Sequence, residues 1–298
     1  MRPVGVHAQV VLFRNSVSDV KRLVRGLAAT AREANRAGLL NGLRLVLGDC
    51  SPLPVLDELD LAQVMELAGD DLAGVEYRFF DANLKSAAGH NRLAEDVVAD
   101  YLLILNPDTY PSPLLLSELI RPMSEPLVGV TEGRQIPLEH PKAHDPQTGD
   151  TSWASTCCVL IRTSVFQELS GFDAVHFPFY CDDVDFSWRV RLAGFRVIHR
   201  PRAVVFHDKR PAPNGAPVVS ETEIYSSTLA RLMLALKYGR TDIFDETVAG
   251  IVANASPSQL KALAEFRILE QEGRTPSALV GAGVVAQFDH GNYAHHRF

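Results

Sequence analysis

The sequence predicts an α/β fold that carries a helical C-terminal extension, on three observations. Val6 to Phe13 (VHAQVVLF) is an apolar run, Val20 to Gly38 is helix-patterned, and Leu43 begins a second apolar run that ends in polar residues at Ser51, a βαβ opening. Tyr101 to Asn106 (YLLILN) suits a buried strand, broken by Pro107, Asp108, Thr109, Tyr110 and Pro111. After a Pro-rich stretch, Pro211 to Pro217, Glu221 to Arg240 and Pro257 to Gly273 are helix-patterned.

The densest chemistry lies between Phe177 and Asp208, which reads FPFYCDDVDFSWRVRLAGFRVIHRPRAVVFHD. Val184, Phe186, Trp188, Val190 and Leu192, with Arg189 and Arg191 between them, suit a short helix ended by Ala193 and Gly194. Phe195–Ile198 and Ala203–Phe206 read as two β runs. Asp182, Asp183 and Asp185 stand at the mouth of the helix. Aspartate is a favoured N-cap, which is the structural reading of any one of them. Capping needs one carboxylate, however, and crowded carboxylates repel unless a metal, a proton or a cationic ligand uses the charge.

Gly171-Phe172-Asp173, then Tyr180, Asp182, Asp183, Val184, Asp185, Trp188, Arg189 and RLAGFRV, resemble the acidic catalytic segment of inverting family 2 glycosyltransferases, especially their rhamnosyltransferase-like branch. That family usually has Glu-Asp-Val-Asp here, so Asp182 takes the Glu position and Asp183 that of the general base. The upstream Leu105-Asn106-Pro107-Asp108 resembles the stretch that replaces the family's Asp-x-Asp. The resemblance makes Asp108 a ligand of a divalent metal, Mg²⁺ or Mn²⁺, on the donor diphosphate. His207 matches a histidine that binds the metal or the diphosphate. Arg202, Lys209 and Arg210 cluster near it, with Arg210 the candidate for the phosphates and solvated charge the alternative.

The amino-terminal half adds candidates for the donor. The family's Asp-Asn-x-Ser turn, which grips base and ribose, meets Gly48, Asp49, Cys50 and Ser51 here, an alignment ambiguous by one residue. Asp49 is the base-binding candidate, and a turn-forming Asp is the alternative. Asn83 to Asn91 (NLKSAAGHN) resembles a stretch in which small residues let the backbone approach the donor. Asn83, Gly89 and Asn91 match, whereas Lys85 replaces a Gly and either meets the diphosphate or points to water. Trp153, Ala154, Ser155 and Thr156 resemble the family's Trp-x-Ser-Gly, which borders the sugar pocket. Trp153 is then either a stacking platform or a core residue, and Thr156 narrows the pocket.

The resemblance implies a GT-A fold, a Rossmann-like mixed sheet flanked by helices, over residues 1–210, with a linker and helical extension over 211–298. It also implies sugar transfer from a nucleotide-diphosphate donor, dTDP-rhamnose first and a UDP-sugar second. The acceptor hydroxyl belongs to a saccharide, a lipid-linked or a small-molecule acceptor, in cell-surface polysaccharide synthesis. Paired acids also suit a glycoside hydrolase, although that leaves the βαβ opening unexplained. A non-catalytic sugar-nucleotide binder would need no base.

Composition bounds these readings. With 298 residues, 46% of them hydrophobic, and a net charge of −7, the chain is of ordinary globular type and lacks the basic face that nucleic acid demands. Its four cysteines show no metal-site spacing, so a reducing cytoplasm is expected. No stretch has the length of a membrane helix, which leaves the cytoplasm or contact with the inner membrane face. The C-terminal helices are candidates for dimerisation. Gly281 to Ala286 fits a dinucleotide fingerprint but lacks chain for a βαβ unit, and His290, His295 and His296 lack zinc spacing.

Overall fold

A computed structural model describes residues 2–140, 142–209, 218–289 and 291–294. Arg210, the linker 211–217, His290, His295 and His296 lie outside the described residues. The opening βαβ unit is β1 (Val4–Leu12), α1 (Val17–Arg36) and β2 (Leu40–Asp49). Helix α1 starts where the Ser16 side chain accepts from Asp19 N, and it buries Val20, Leu23, Val24, Leu27, Ala31 and Ala34 at helical spacing. Next come α2 (Glu58–Ala68), β3 (Gly74–Phe79), α3 (Lys85–Leu93), β4 (Tyr101–Leu105), β5 (Thr109–Pro111) and α4 (Leu115–Ile120). They are followed by β6 (Val128–Ile136), β7 (Cys158–Arg162), α5 (Thr163–Glu168), α6 (Asp182–Leu192) and β8 (Arg196–His207).

The strands form one eight-stranded mixed sheet of order β3-β2-β1-β4-β7-β6-β8-β5. The first four run parallel, which suits strands such as β4 that are buried at every position. Strand β7 is antiparallel to both β4 and β6, and β5 to β8. The turn after β4 and the end of β8 therefore lie side by side, Thr109 pairing with His207.

One expectation needs correcting. Phe195–Ile198 and Ala203–Phe206 were expected as separate runs, yet both belong to β8 apart from Phe195. Its pairing with β6 jumps from Gly133↔Arg200 to Arg134↔Val204, so Pro201, Arg202 and Ala203 bulge out of the ladder. Proline has no N–H to give a ladder, and the bulge accommodates it.

After residue 217, α7 (Glu221–Lys237) and α9 (Pro257–Gln271) follow the expected patterns, and α8 (Thr241–Asn254) joins them. Leu232, Met233, Leu234, Leu263 and Phe266 pack with Trp153, Phe177, Val184 and Trp188 in one hydrophobic core. The C-terminal helices thus share a core with α6. Gly281 opens a short 3-10 turn at φ 71°, where a dinucleotide loop was excluded.

Candidate functional site

Cys181 occupies the N-cap position of α6, left-handed at φ 60°, and gives no side-chain cap hydrogen bond. None of the three aspartates is therefore its N-cap. Their environments set them apart. Asp185 is fully buried and ion-paired with Arg189 Nε at 2.8 Å and Lys237 Nζ at 2.6 Å, a structural assignment. Asp182 is buried beside Ser86, whose Oγ donates to it at 3.4 Å. Burial, then the charge of Asp183, pushes its carboxyl up to about 8. Asp183 is half-buried, its Oδ1 accepts from Val184 N at 2.9 Å, and its carbonyl accepts from Ser187 Oγ at 2.7 Å.

A second pair comes from the strand ends. Asp108 sits in the turn between β4 and β5, where Thr109 Oγ1 donates to the Asn106 carbonyl at 2.7 Å. His207 ends β8 in register with Thr109, and its Nε2 stands 3.3 Å from Asp108 Oδ2. Its Nδ1 donates to Gln135 Oε1 at 3.0 Å and lies 3.1 Å from Cys157 Sγ. With Nδ1 turned to Gln135, Nε2 is the ring nitrogen that faces a carboxylate oxygen. An imidazole nitrogen facing a carboxylate oxygen holds either a proton or a metal cation between them. Burial pushes Asp108 up, but His207 and Lys209 more than offset this, and its carboxyl lies below the usual range.

A divalent metal fits this pair. Among the described residues no group of three or more His, Cys, Asp or Glu side chains could hold a metal ion. An ion at Asp108 and His207 would therefore take most of its ligands from water and a diphosphate, as Mg²⁺ and Mn²⁺ do at phosphate sites.

The Asp182–Asp183 pair and His207 share a cavity of about 230 Å³, lined also by Asn106, Ser155, Lys209 and Glu223, among others, while Asp108 stands behind His207 and does not line it. Glu223, from the first turn of α7, was not foreseen. Its position after the linker carries no motif, and only the fold brings it here. Gln135 was missed too, although a buried polar residue in the exposed-alternating end of β6 is a signal. A larger hollow of about 450 Å³ lies at the far end of α6. Its acids are occupied: Asp150 forks with Arg196 at 2.9 and 2.8 Å, and Asp145 accepts from the Gln147 and Thr148 amides at 2.8 and 2.7 Å.

The donor candidates divide. Ser155 lines the cavity, its N donating to the buried Glu132 at 2.8 Å. Asp49 is fully buried and accepts from Ser51 N at 2.8 Å, Val55 N at 2.7 Å and the Tyr77 hydroxyl, so it organises its own loop. The neighbouring alignment ambiguity also closes: a Cβ on Gly48 would come within 2.7 Å of Phe80 Cε2, leaving no room for an acid. Asn91 brackets the loop before α6, donating to the Phe172 carbonyl and accepting from its N–H, each at 2.8 Å. Trp153 is fully buried, with its Nε1 donating to the Tyr293 carbonyl at 3.1 Å and Lys142 4.1 Å above its ring. It is a core residue, since no ring face is left for a sugar. Asn83 and Lys85 are exposed at the start of α3, where Asn83 Oδ1 accepts from Lys85 N at 3.2 Å. Neither lines the cavity.

No family model matches the chain. It is 32% identical over 136 residues to the N-acetylglucosaminyl-diphospho-decaprenol L-rhamnosyltransferase of Mycobacterium tuberculosis, covering 42% of each chain. It is 25% identical over 226 residues to the pre-mycofactocin glycosyltransferase of the same organism, covering 67% of this chain and 42% of that one. The chain thus spans under half the length of these curated relatives. Its fold is similar to that of the mannosyltransferase PcManGT from Pyrobaculum calidifontis, solved with GDP-Man and Mn2+ (TM-score 0.55, 13% identity, 96% of this chain and 73% of that one). It is also similar to GalNAc-T7 with UDP, GalNAc and Mn2+ (TM-score 0.59, 15% identity, 92% and 56%). Among the described residues no helix is long and apolar enough to cross a membrane.

Proposed function

We propose, from its sequence likeness to a rhamnosyltransferase and a glycosyltransferase and its fold likeness to GT-A transferases, that the chain is a family 2, rhamnosyltransferase-like glycosyltransferase that transfers a sugar from a nucleotide-diphosphate donor to an acceptor hydroxyl with inversion. The observation that carries this reading is the convergence of the Asp182–Asp183 pair and His207 on one cavity, with Asp108 in reach of His207.

The two carboxyls divide the work by burial. Asp182, raised to about 8, holds a proton at neutral pH, and the half-buried Asp183 is the one left to act as base. Asp183 takes the proton of the acceptor hydroxyl as its oxygen bonds to the anomeric carbon. The bond from that carbon to the diphosphate oxygen breaks, and its electron pair leaves with the nucleotide. A divalent ion at Asp108 and His207 would neutralise charge on the leaving diphosphate. Lys209, on the cavity wall, adds a positive charge on that side.

A dTDP-rhamnose donor and a lipid-linked saccharide acceptor are the first candidates, because a relative carries both a rhamnosyl transfer and a diphospho-decaprenol in its name. That acceptor would place the chain at a membrane face. Calorimetry against dTDP- and UDP-sugars, with and without Mn²⁺, tests the proposal. Metal-dependent binding of one nucleotide supports it, and binding of none overturns it.

A further inference from the structure

The start of α6 poses a physical question, because its N-cap residue gives no side-chain bond and the proposed base itself serves a first-turn amide, its Oδ1 accepting from Val184 N at 2.9 Å. The turn is also held from outside. Lys237, at the end of α7 and only 6% exposed, reaches Asp185 Oδ1 at 2.6 Å and Asp173 Oδ2 at 2.7 Å. Its ammonium also lies 5.1 Å from the centroid of the buried Phe177 ring. Tyr238, the next residue, donates its hydroxyl toward the Asp185 carbonyl at 3.0 Å and Oδ1 at 3.1 Å. Arg189 completes the knot, bonding Asp185 Oδ2 and the carbonyls of Leu169 and Gly171, each at 2.8 Å.

Asp173 precedes and Asp185 follows the segment that delivers Phe179, Tyr180, Cys181, Asp182 and Asp183 to the cavity. A single ammonium from the C-terminal helices therefore joins both ends of the segment that presents the acids. Burial raises Asp173, but Lys237 and His176 more than offset it and bring it down to about 2. Burial, with the charge of Asp185 behind it, pushes the Tyr238 hydroxyl well up, so it stays a donor. A buried ion pair is a poor way to gain stability over apolar packing, since desolvation offsets the attraction. Fixing a geometry is the better account of why charges are buried here.

We propose that Lys237, assisted by Tyr238, is a positioning residue through which the C-terminal helices hold the Asp182–Asp183 turn in its reactive place. Its catalytic consequence rests on the transferase reading, whereas its structural half does not. Donor binding at Asp108 and His207, which lie on the strand ends, is independent of the brace.

The test uses the full chain with Lys237→Met, which keeps an apolar stem, and Tyr238→Phe, which removes only the hydroxyl. Amide hydrogen exchange is followed in the first turn of α6 and, as reference, in β1 and β4. For Lys237→Met, exchange in the α6 turn should quicken while the two strands stay protected. Turnover should fall on the order of 10-fold or more, because small misplacements of a reacting group cost large factors, with nucleotide affinity in Mn²⁺ unchanged. Tyr238→Phe should move in the same direction by less, and it decides the matter if Lys237→Met does not fold. Unchanged exchange in α6 overturns the brace, as does faster exchange throughout the sheet with turnover per folded molecule intact. If the wild-type chain transfers no sugar to any acceptor, the functional reading fails, and the exchange arm still decides the structural claim.

Discussion

His207 Nε2 and Asp108 Oδ2 face each other at 3.3 Å across the ends of two paired strands, and Gln135 Oε1 holds the opposite ring nitrogen at 3.0 Å. This arrangement fixes the orientation of the imidazole, as the proposed metal-ligand role requires. Asp108→Ala should weaken nucleotide binding in the presence of Mn²⁺ and leave metal-free binding little changed. His207→Ala should show a smaller loss of the same kind. Gln135→Leu, which touches neither metal nor nucleotide, should lower metal affinity about 10-fold, the scale on which removing an orienting partner acts. Titration calorimetry with and without Mn²⁺ reads all three, and metal-independent losses would make the pair a strand-end contact only.

Asp49 should behave as a structural residue. Its carboxylate accepts from two backbone amides and the Tyr77 hydroxyl inside the fold. Asp49→Ala leaves those donors buried without an acceptor, at a cost of about 1–3 kcal/mol for an unsatisfied group. Urea unfolding should show that loss, with nucleotide affinity of the folded fraction near normal. A stable variant that no longer binds nucleotide would restore the base-gripping role expected from the motif.

The contrast between Asp49 and Asp183 marks how far the sequence could be read. Apolar runs and turn signals place β1, α1, β2, β4 and α6 because local patterning determines them. The acidic turn and the strand-end Asp108 were legible for the same reason, as chemistry at the ends of predictable elements. What sequence could not supply was the partner of each group. Asp185 looks like a third active-site acid until Lys237 arrives from α7. Trp153 looks like a platform until Tyr293, far along the chain, closes over it. Helix α8 escaped notice because Thr, Val, Gly and Asn are poor helix formers, and burial of Ile243, Thr247 and Ile251 stabilises it instead.

Asp182 should make stability pH-dependent. Its folded pKa of about 8 lies above the ordinary carboxylate value, so between the two the folded protein keeps a proton that the unfolded chain has released. Its contribution is full below the ordinary carboxylate range and falls as pH rises through about 8. Asp182→Asn removes this titration, so its melting temperature should gain on wild type as pH increases. Thermal melts of both proteins over roughly pH 5 to 9 decide the point, since parallel curves would mean that Asp182 carries no raised pKa.

Asp183 carries the sharpest expectation. It is half-buried on the cavity wall, next to a carboxyl pushed up to about 8, and on the proposed reading is therefore the acid left to accept a proton from the acceptor. Asp183→Asn preserves size, and its amide oxygen can still accept from Val184 N, a bond now made at 2.9 Å. Fold and donor affinity should survive, while single-turnover transfer falls on the order of 10²-fold or more, the scale of general-base catalysis. Asp185→Asn separates structure from chemistry, because its carboxylate serves Arg189 and Lys237 and its replacement should lower stability first. If Asp183→Asn transfers sugar at a near-normal rate, the assignment fails. If Asp182→Asn alone is inactive with its fold intact, the base lies one residue upstream and the buried carboxyl must ionise to act.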